Sequence, residues 1–458
     1  MRNKFSLKTT IFLFLCLLLI IFFGIFYLKT QPHIPLLITL VFLAVAAKLK
    51  GFSWNEIEKG FTSGVSAGIK PILILGLIGM VIAIWMQSGT VPTLLHIGFT
   101  WVSPEWFTLS ALFVTVLVST FTGSSFTTIG TVGVALMGLA SGLGIHPALA
   151  AGAIISGSCF GDKMSPLSDT TNFAPGVVGV DLFTHIRHLV WTTVPSFIVT
   201  IILFLVLREG GGSTVEWEKI AQAQAVLSQE FNITWVTLLS PLLVMVLAFR
   251  RFPTIPTLIV GIGSGVLIAH LTQSGVTIAG WVNVLQDGFK LESGNEIVDG
   301  IVNRGGLQSM MWSISLVFIA LALGGLIQQL GMLGVLIEGL TSIIKRQGGV
   351  ITATVVSSMG VNLLTGEQYL SILLPGQTFP PLYEKFSLHQ KNLSRTLEDA
   401  GTLINPLIPW GVSGAFFATT LEVPVVDYLP YAFFLYFSPI FAILLGYLNI
   451  GIAKKAEQ

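Results

Sequence analysis

Charge is the scarcest commodity in this sequence. Of 458 residues only 10% are Asp, Glu, Lys or Arg, against about 25% in an ordinary soluble domain. Hydrophobic residues make up 53% and mean hydropathy is +0.84, so the chain reads as a polytopic membrane protein embedded in a lipid bilayer. Neither sign of charge prevails: 23 basic and 22 acidic residues leave a formal net charge of +1. That gives no basic footprint for nucleic acid and no acidic surplus for a basic partner. Cysteine is nearly absent. Cys16 and Cys159 both fall in apolar segments, which fits unpaired thiols and argues against a disulfide framework or a metal site. There is no Walker A loop and no Rossmann glycine fingerprint, and the seven histidines form no cluster with ligand spacing. With no nucleophile-and-base pair either, an enzyme is not expected, nor is any cofactor.

What the sequence does have is long uncharged runs. The first, residues 9–28, follows Arg2, Lys4 and Lys8 and is not followed by a small-residue cleavage pattern, so it is expected to be a retained helix and not a signal peptide. Apolar spans then fall at about 33–49, 69–87, 106–121, 126–143, 147–160 and 183–207. After a polar interval, 208–231, a second series runs through 232–249, 254–271, 310–330 and 350–364 and on to residue 450. This divides the chain into a first transmembrane repeat (1–207), a connecting segment (208–231) and a second repeat (232–458). Ser53 and Glu56 read as a capping box opening an amphipathic helix, and 215–229 is a second amphipathic candidate; both are expected to be interfacial connectors.

The halves match in order and spacing. Ile34-Pro35 recurs as Ile255-Pro256, Gln87 and Gly89 as Gln329 and Gly331, Gly123 as Gly366, Gly161 with Pro166 as Gly401 with Pro406, and Pro195 as Pro439. Positive charge tests their relative direction, because short cytoplasmic loops collect Lys and Arg. Arg2, Lys4 and Lys8 precede the first span and Lys48, Lys50 and Lys59 follow the second, whereas Arg250-Arg251 follow the first span of the second half and Lys345-Arg346 its third. Two inverted repeats, each crossing an odd number of times, leave both termini in the cytoplasm, in line with Lys454-Lys455. Between 104 and 160 the count is open: three crossings, or a re-entrant hairpin and a broken helix.

The densest chemistry lies in Gly157–Asn172, Gly-Ser-Cys-Phe-Gly-Asp-Lys-Met-Ser-Pro-Leu-Ser-Asp-Thr-Thr-Asn, directly after an apolar run. Pro166 removes a backbone donor and Gly157 and Gly161 weaken the helix, so a break is expected here, its carbonyls facing a cavity. Asp162 and Asp169 are the strongest ion-binding candidates. A carboxylate taken out of water holds a proton or a cation and resists standing bare. Ser165, Ser168, Thr170, Thr171 and Asn172 add the neutral oxygens that a small hard cation such as Na+ needs around it. The second half offers Glu367, at the position matching Ser124, and then Asp399, Thr402 and Asn405 around its own break. Asp162, Asp169 and Glu367 are the expected carboxylate ligands of a transported ion. Lys163 or Lys70 is the alternative partner for the aspartates, and Arg395 lies at salt-bridge spacing from Glu398. His185 and His188 flank Arg187 and are expected to be inside-facing positions.

That stretch, with Val-Asp-Leu-Phe-Thr-His-Ile-Arg-His after it, resembles the signature region of the NhaC-type Na+/H+ antiporters, a family that includes exchangers coupling Na+ and H+ to malate and lactate. The resemblance covers nearly the whole chain. It implies an all-α membrane fold of two inverted repeats with re-entrant hairpins and broken helices, an elevator motion, and an ion site formed by Asp162, Asp169, Thr170, Thr171 and Asn172 facing Glu367 and residues 397–405. The expected function is Na+/H+ exchange at the cell membrane, serving sodium extrusion and pH homeostasis, with a homodimer as a candidate assembly. The alternative is an exchanger or symporter of a small organic anion such as malate or lactate, a reading that Lys163 or Arg395 inside the pocket would favour.

Overall fold

Uncharged runs without water to satisfy their backbone fold into helices, and the computed structural model is helical throughout. It describes residues 5–208, 217–250, 252–341 and 344–455. Arg2, Lys4, Arg251 and Val215, which entered the topology and connector arguments, lie outside the described residues. Among the described residues β pairing is limited to one isolated bridge, Leu388 with Lys454. Eight of the described helices are long and apolar enough to cross a membrane: Leu7–Ile25, Ile69–Gln87, Pro104–Thr122, Ser125–Gly142, Leu182–Val206, Thr254–Thr272, Gln308–Gln329 and Gln347–Thr365. Two bent pairs raise the number to as many as ten. The protein is a multi-pass membrane protein.

Two packing groups organise these helices, and each draws on both sides of the polar interval. In one, His33–Leu49, Trp54–Ala67, Ile69–Gln87, Leu239–Phe249, Thr254–Thr272 and Met311–Gln329 pack on one another. In the other, Phe107–Thr122, Pro147–Met164, Leu182–Val206, Gln347–Thr365, Gln368–Thr378, Gln390–Leu397 and Phe433–Leu448 do the same, joined by Asp169–Val178.

Two local expectations need revision. The capping box at Ser53 and Glu56 forms and opens Trp54–Ala67, but that helix is no loose connector. It lies so close to Met311–Gln329 that a Cβ on Gly64 would stand 2.0 Å from the Leu321 carbonyl oxygen. Nor do Gly157 and Gly161 break their helix, which continues through both to Met164. They let it approach Phe107–Thr122: a Cβ on Gly157 would lie 2.3 Å from the Leu112 oxygen, and one on Gly161 2.5 Å from the Val116 oxygen. Between apolar helices in lipid, close backbone packing of this kind is a main source of attraction.

Candidate functional site

Four chain breaks form the site, and they meet in pairs. Phe107–Thr122 ends at Gly123, whose φ of +67° is a left-handed conformation that favours glycine. Ser124 then caps the next helix, its hydroxyl accepting from the Thr127 N–H at 3.1 Å. This break is pressed against the one after Met164, where Ser165 and Pro166 lead to Ser168, the cap of Asp169–Val178; a Cβ on Gly123 would meet the Leu167 backbone at 2.6 Å. Asp162 ties the two together: its Oδ2 accepts both the backbone N–H of Ser125 (2.9 Å) and the Ser125 hydroxyl (2.6 Å).

The second pair has the same parts. Gln347–Thr365 ends at Gly366, also at φ +67°, and Glu367 caps Gln368–Thr378, its Oε2 accepting from the Leu370 N–H at 2.8 Å. Gly366 abuts the break between Leu397 and Val412, which contains a π turn, Glu398–Thr402, and a 3-10 turn, Asn405–Leu407. Here the tie is Asn405. It donates to the Gly366 oxygen (2.9 Å) and to Asn362 Oδ1 (3.0 Å), and accepts from the Ser413 N–H (2.7 Å).

A cavity of about 720 Å³ opens between the two packing groups. Of the residues expected from sequence, Asp162, Ser168, Asp169, Thr170, Asn172 and Glu367 line it. All come from the group that carries the breaks. The opposite wall, from the other group, is Lys70 with apolar residues including Ile74, Phe252, Ile255 and Leu258. Glu367 is buried, whereas the Asp169 side chain is 64% exposed and pairs with Lys70 at 3.3 Å. The Asp162 carboxylate takes both of its Ser125 hydrogen bonds on Oδ2.

The other expected residues stand behind the wall. Ser165 is buried and donates to the Thr120 oxygen at 2.7 Å, and the Thr171 hydroxyl donates to the Lys163 carbonyl at 3.1 Å. Asp399 is sealed in an ion pair with Lys163, so Lys163 serves neither Asp162 nor Asp169. Thr402 and Asn405 are buried in the π and 3-10 turns. Arg395 makes no pair with Glu398 among the described residues; its Nη1 donates to the Gly451 oxygen at 2.8 Å. His185 and His188 are buried and bond to Ser394 (2.9 Å) and Asn392 (3.0 Å), clamping Gln390–Leu397.

Sequence reasoning missed Ser125, Thr127, Phe126 and Tyr369, of which Ser125 holds Asp162 and the other three line the cavity. The signal for Ser125 was present, since it is the second serine of Thr-Gly-Ser-Ser, whose glycine marks the break. Phe126 stacks on Phe416 with ring centroids 4.8 Å apart. Phe416 belongs to Val412–Leu421, which runs from Val412 in this cavity to Thr419 and Thr420 in a second one of about 280 Å³.

Residues 157–450 match the model of the Na+/H+ antiporter family. The chain is 58% identical over 455 residues to the Na+/H+ antiporter NhaC of Alkalihalophilus pseudofirmus, covering 99% of this chain and 98% of the relative. It is 47% identical over 449 residues to the Na+/H+ antiporter NhaC of Bacillus subtilis (98% and 99% covered). A malate-2H+/Na+-lactate antiporter of Bacillus subtilis is 32% identical over 398 residues (87% and 85% covered).

Proposed function

The chain belongs to the Na+/H+ antiporter family and exchanges Na+ for H+, and from that premise we propose that Asp162 and Glu367 are the carboxylates its two ions share. The observation that carries this reading is that each acid holds a helix start at a chain break, Asp162 by accepting from Ser125 and Glu367 by capping Gln368–Thr378, one in each half of the sequence, and both face one cavity. A small hard cation takes several oxygen ligands with limited net charge. Asp162, Glu367 and the hydroxyls of Ser124, Thr127 and Thr170 offer that set. Protons arriving from one side neutralise the carboxylates and release Na+; Na+ arriving from the other displaces the protons.

The division of the walls supports an elevator motion. The carboxylates belong to one packing group, and the other contributes Lys70 and an apolar surface. A site carried whole by one body can be moved past the other without being taken apart. The paired breaks, with Gly123 and Ser124 matching Gly366 and Glu367 in conformation and capping role, support two repeats joined by 208–231. Their inversion, with both termini cytoplasmic, continues to rest on the Lys and Arg pattern. Asp169–Val178 and Gln368–Thr378 have 10 and 11 residues, roughly 15 Å of helix, about half a hydrocarbon core. That length suits re-entrant or broken segments.

An organic anion as co-substrate finds little support. The positive charge that would favour it is not offered freely by the cavity, since Lys163 and Arg395 are sealed away and Lys70 is engaged by Asp169. The test is purified protein in liposomes with a trapped pH dye, given a NaCl pulse with and without L-malate or L-lactate, and repeated with Asp162→Asn and Glu367→Gln. Sodium-driven proton movement that needs no organic acid and is lost in both variants is the expected result. Movement only with an organic acid, or undiminished in the variants, overturns the reading.

A further inference from the structure

The second cavity, of about 280 Å³, is lined by a guanidinium that the exchange reading leaves unused. Arg304 lies between Glu296–Val302 and the turn Gln308–Met310, in a loop fixed to Ile69–Gln87 by the Gly306 N–H, which donates to the Gly79 oxygen at 2.7 Å. Its side chain is 12% exposed. Arginine carries five N–H donors and a charge that it does not give up. Nη2 pairs with Glu422 Oε2 at 2.9 Å. Nε and Nη1, which hold three of the five donors, are buried and bond no group among the described residues.

Thr420 lines the same cavity, and its buried hydroxyl is also without a partner among the described residues. The other hydroxyls there are engaged: Ser309 donates to the Gly306 oxygen at 2.8 Å, and Thr419 bonds Ser313. Buried donors without acceptors are costly, charged ones most of all. Arg304 and Thr420 therefore mark a place where an acceptor belongs. Glu422 fills it only in part, since it takes one guanidinium nitrogen and its own side chain is 51% exposed. Ile82, Val134 and Met310 make the neighbouring wall apolar, which leaves the charge of Arg304 poorly screened. A guanidinium is weakly hydrated and makes strong charge-assisted bonds to anions. The volume is below the roughly 300–1,000 Å³ of pockets for drug-sized ligands, so it suits a small anion better than a bulky one.

We propose that Arg304 and Thr420 form a binding site for one small monovalent anion, a halide or a short carboxylate, with Glu422 as a built-in competitor for the same guanidinium. Neither Asp162 nor Glu367 lines this cavity, so the site stands independently of their reading as the ion pair of the exchange.

Equilibrium binding to the purified full chain tests it, with radiolabelled chloride in one arm and radiolabelled acetate in the other, at fixed sodium and ionic strength with gluconate as the balancing anion. Saturable binding of one anion per chain is expected in at least one arm, and the arm with the tighter binding tells a halide site from a carboxylate site. Arg304→Gln is expected to weaken that binding about tenfold or more. Glu422→Gln removes the competing charge and is expected to tighten it several-fold. Thr420→Val keeps the guanidinium and its ion pair and is expected to weaken binding several-fold; it decides the matter where Arg304→Gln does not fold. Absence of saturable binding in both arms overturns the site, as does wild-type affinity in folded Arg304→Gln or in Thr420→Val. Weaker binding in Glu422→Gln overturns its role as competitor.

Discussion

Lys163 Nζ donates to Asp399 Oδ1 in an ion pair of which neither side chain reaches solvent. The pair joins Pro147–Met164 to the π turn at 398–402, so it links a break in one half of the sequence to a break in the other. Ser438 bridges it, accepting from Lys163 (2.7 Å) and donating to Asp399 (2.7 Å).

Removing one member of such a pair strands the other charge, a loss of about 3–5 kcal/mol, whereas replacing both with apolar groups is often neutral. Lys163→Met is therefore expected to lower the melting temperature in detergent sharply, and Lys163→Met with Asp399→Leu to recover most of it. Equal melting of wild type and Lys163→Met would remove the pair from any structural role.

Asp162 and Asp169 looked alike in sequence, but their surroundings rank them. Asp169 is mostly exposed and paired with Lys70, and exposed pairs contribute about 0–1 kcal/mol. Asp162 is held by two donors from Ser125 at the foot of the cavity wall. In liposomes, Asp162→Asn is expected to abolish sodium-driven proton flux and Asp169→Asn to keep it within roughly tenfold of wild type. Ser125→Ala loses a charge-assisted bond of about 1.5–3 kcal/mol and is expected to raise the half-saturating sodium concentration roughly tenfold or more. The reverse order for the two aspartates would move the site to the cavity mouth.

The helices were legible because uncharged length is nearly all a membrane span requires: 69–87 and 33–49 match Ile69–Gln87 and His33–Leu49 residue for residue. The breaks were legible from Gly, Pro and oxygen-rich runs. Which oxygens face the cavity was not, because that depends on pairing across the fold. Nothing in the local sequence tells Asp399 that Lys163, 236 residues earlier, will neutralise it. Likewise nothing beside Glu398 says that its partner is the Thr170 hydroxyl and not the Arg395 guanidinium at helix spacing. The glycines failed for a related reason, since in lipid a glycine is as often a contact surface as a breaker.

Acid should weaken the entry to Leu182–Val206 through its cap. Asp181 accepts the Thr184 N–H at 2.9 Å and the Thr184 hydroxyl at 3.0 Å, bonds that hold its carboxyl below the usual carboxylate range. A depressed folded-state value means that the stabilisation is present above the unfolded value of about 3.9 and is lost as pH falls through the folded one. Asp181→Ala is thus expected to melt below wild type at neutral pH, with the gap closing as pH drops past about 4. A gap that persists unchanged into that acid range would show that the cap acts through something other than the carboxylate charge.

Gly161 gives the sharpest contrast between a helix breaker and a helix contact. If it served to interrupt the helix, alanine there would extend the helix and stabilise the protein by up to about 1 kcal/mol. In the structure the added methyl would stand 2.5 Å from the Val116 oxygen and 2.6 Å from the Thr120 nitrogen, backbone atoms of a packed helix that have no rotamer to change. Overpacking of this sort costs about 1–3 kcal/mol. Gly176, inside Asp169–Val178, meets nothing within 4 Å and supplies the control. Gly176→Ala is expected to hold or raise the melting temperature and Gly161→Ala to lower it. Because Gly161 immediately precedes Asp162, pushing the two helices apart also displaces the carboxylate from Ser125, so sodium-driven proton flux should fall further than the loss of folded protein explains. A Gly161→Ala protein as stable and active as wild type would mean that the two helices do not meet at this glycine.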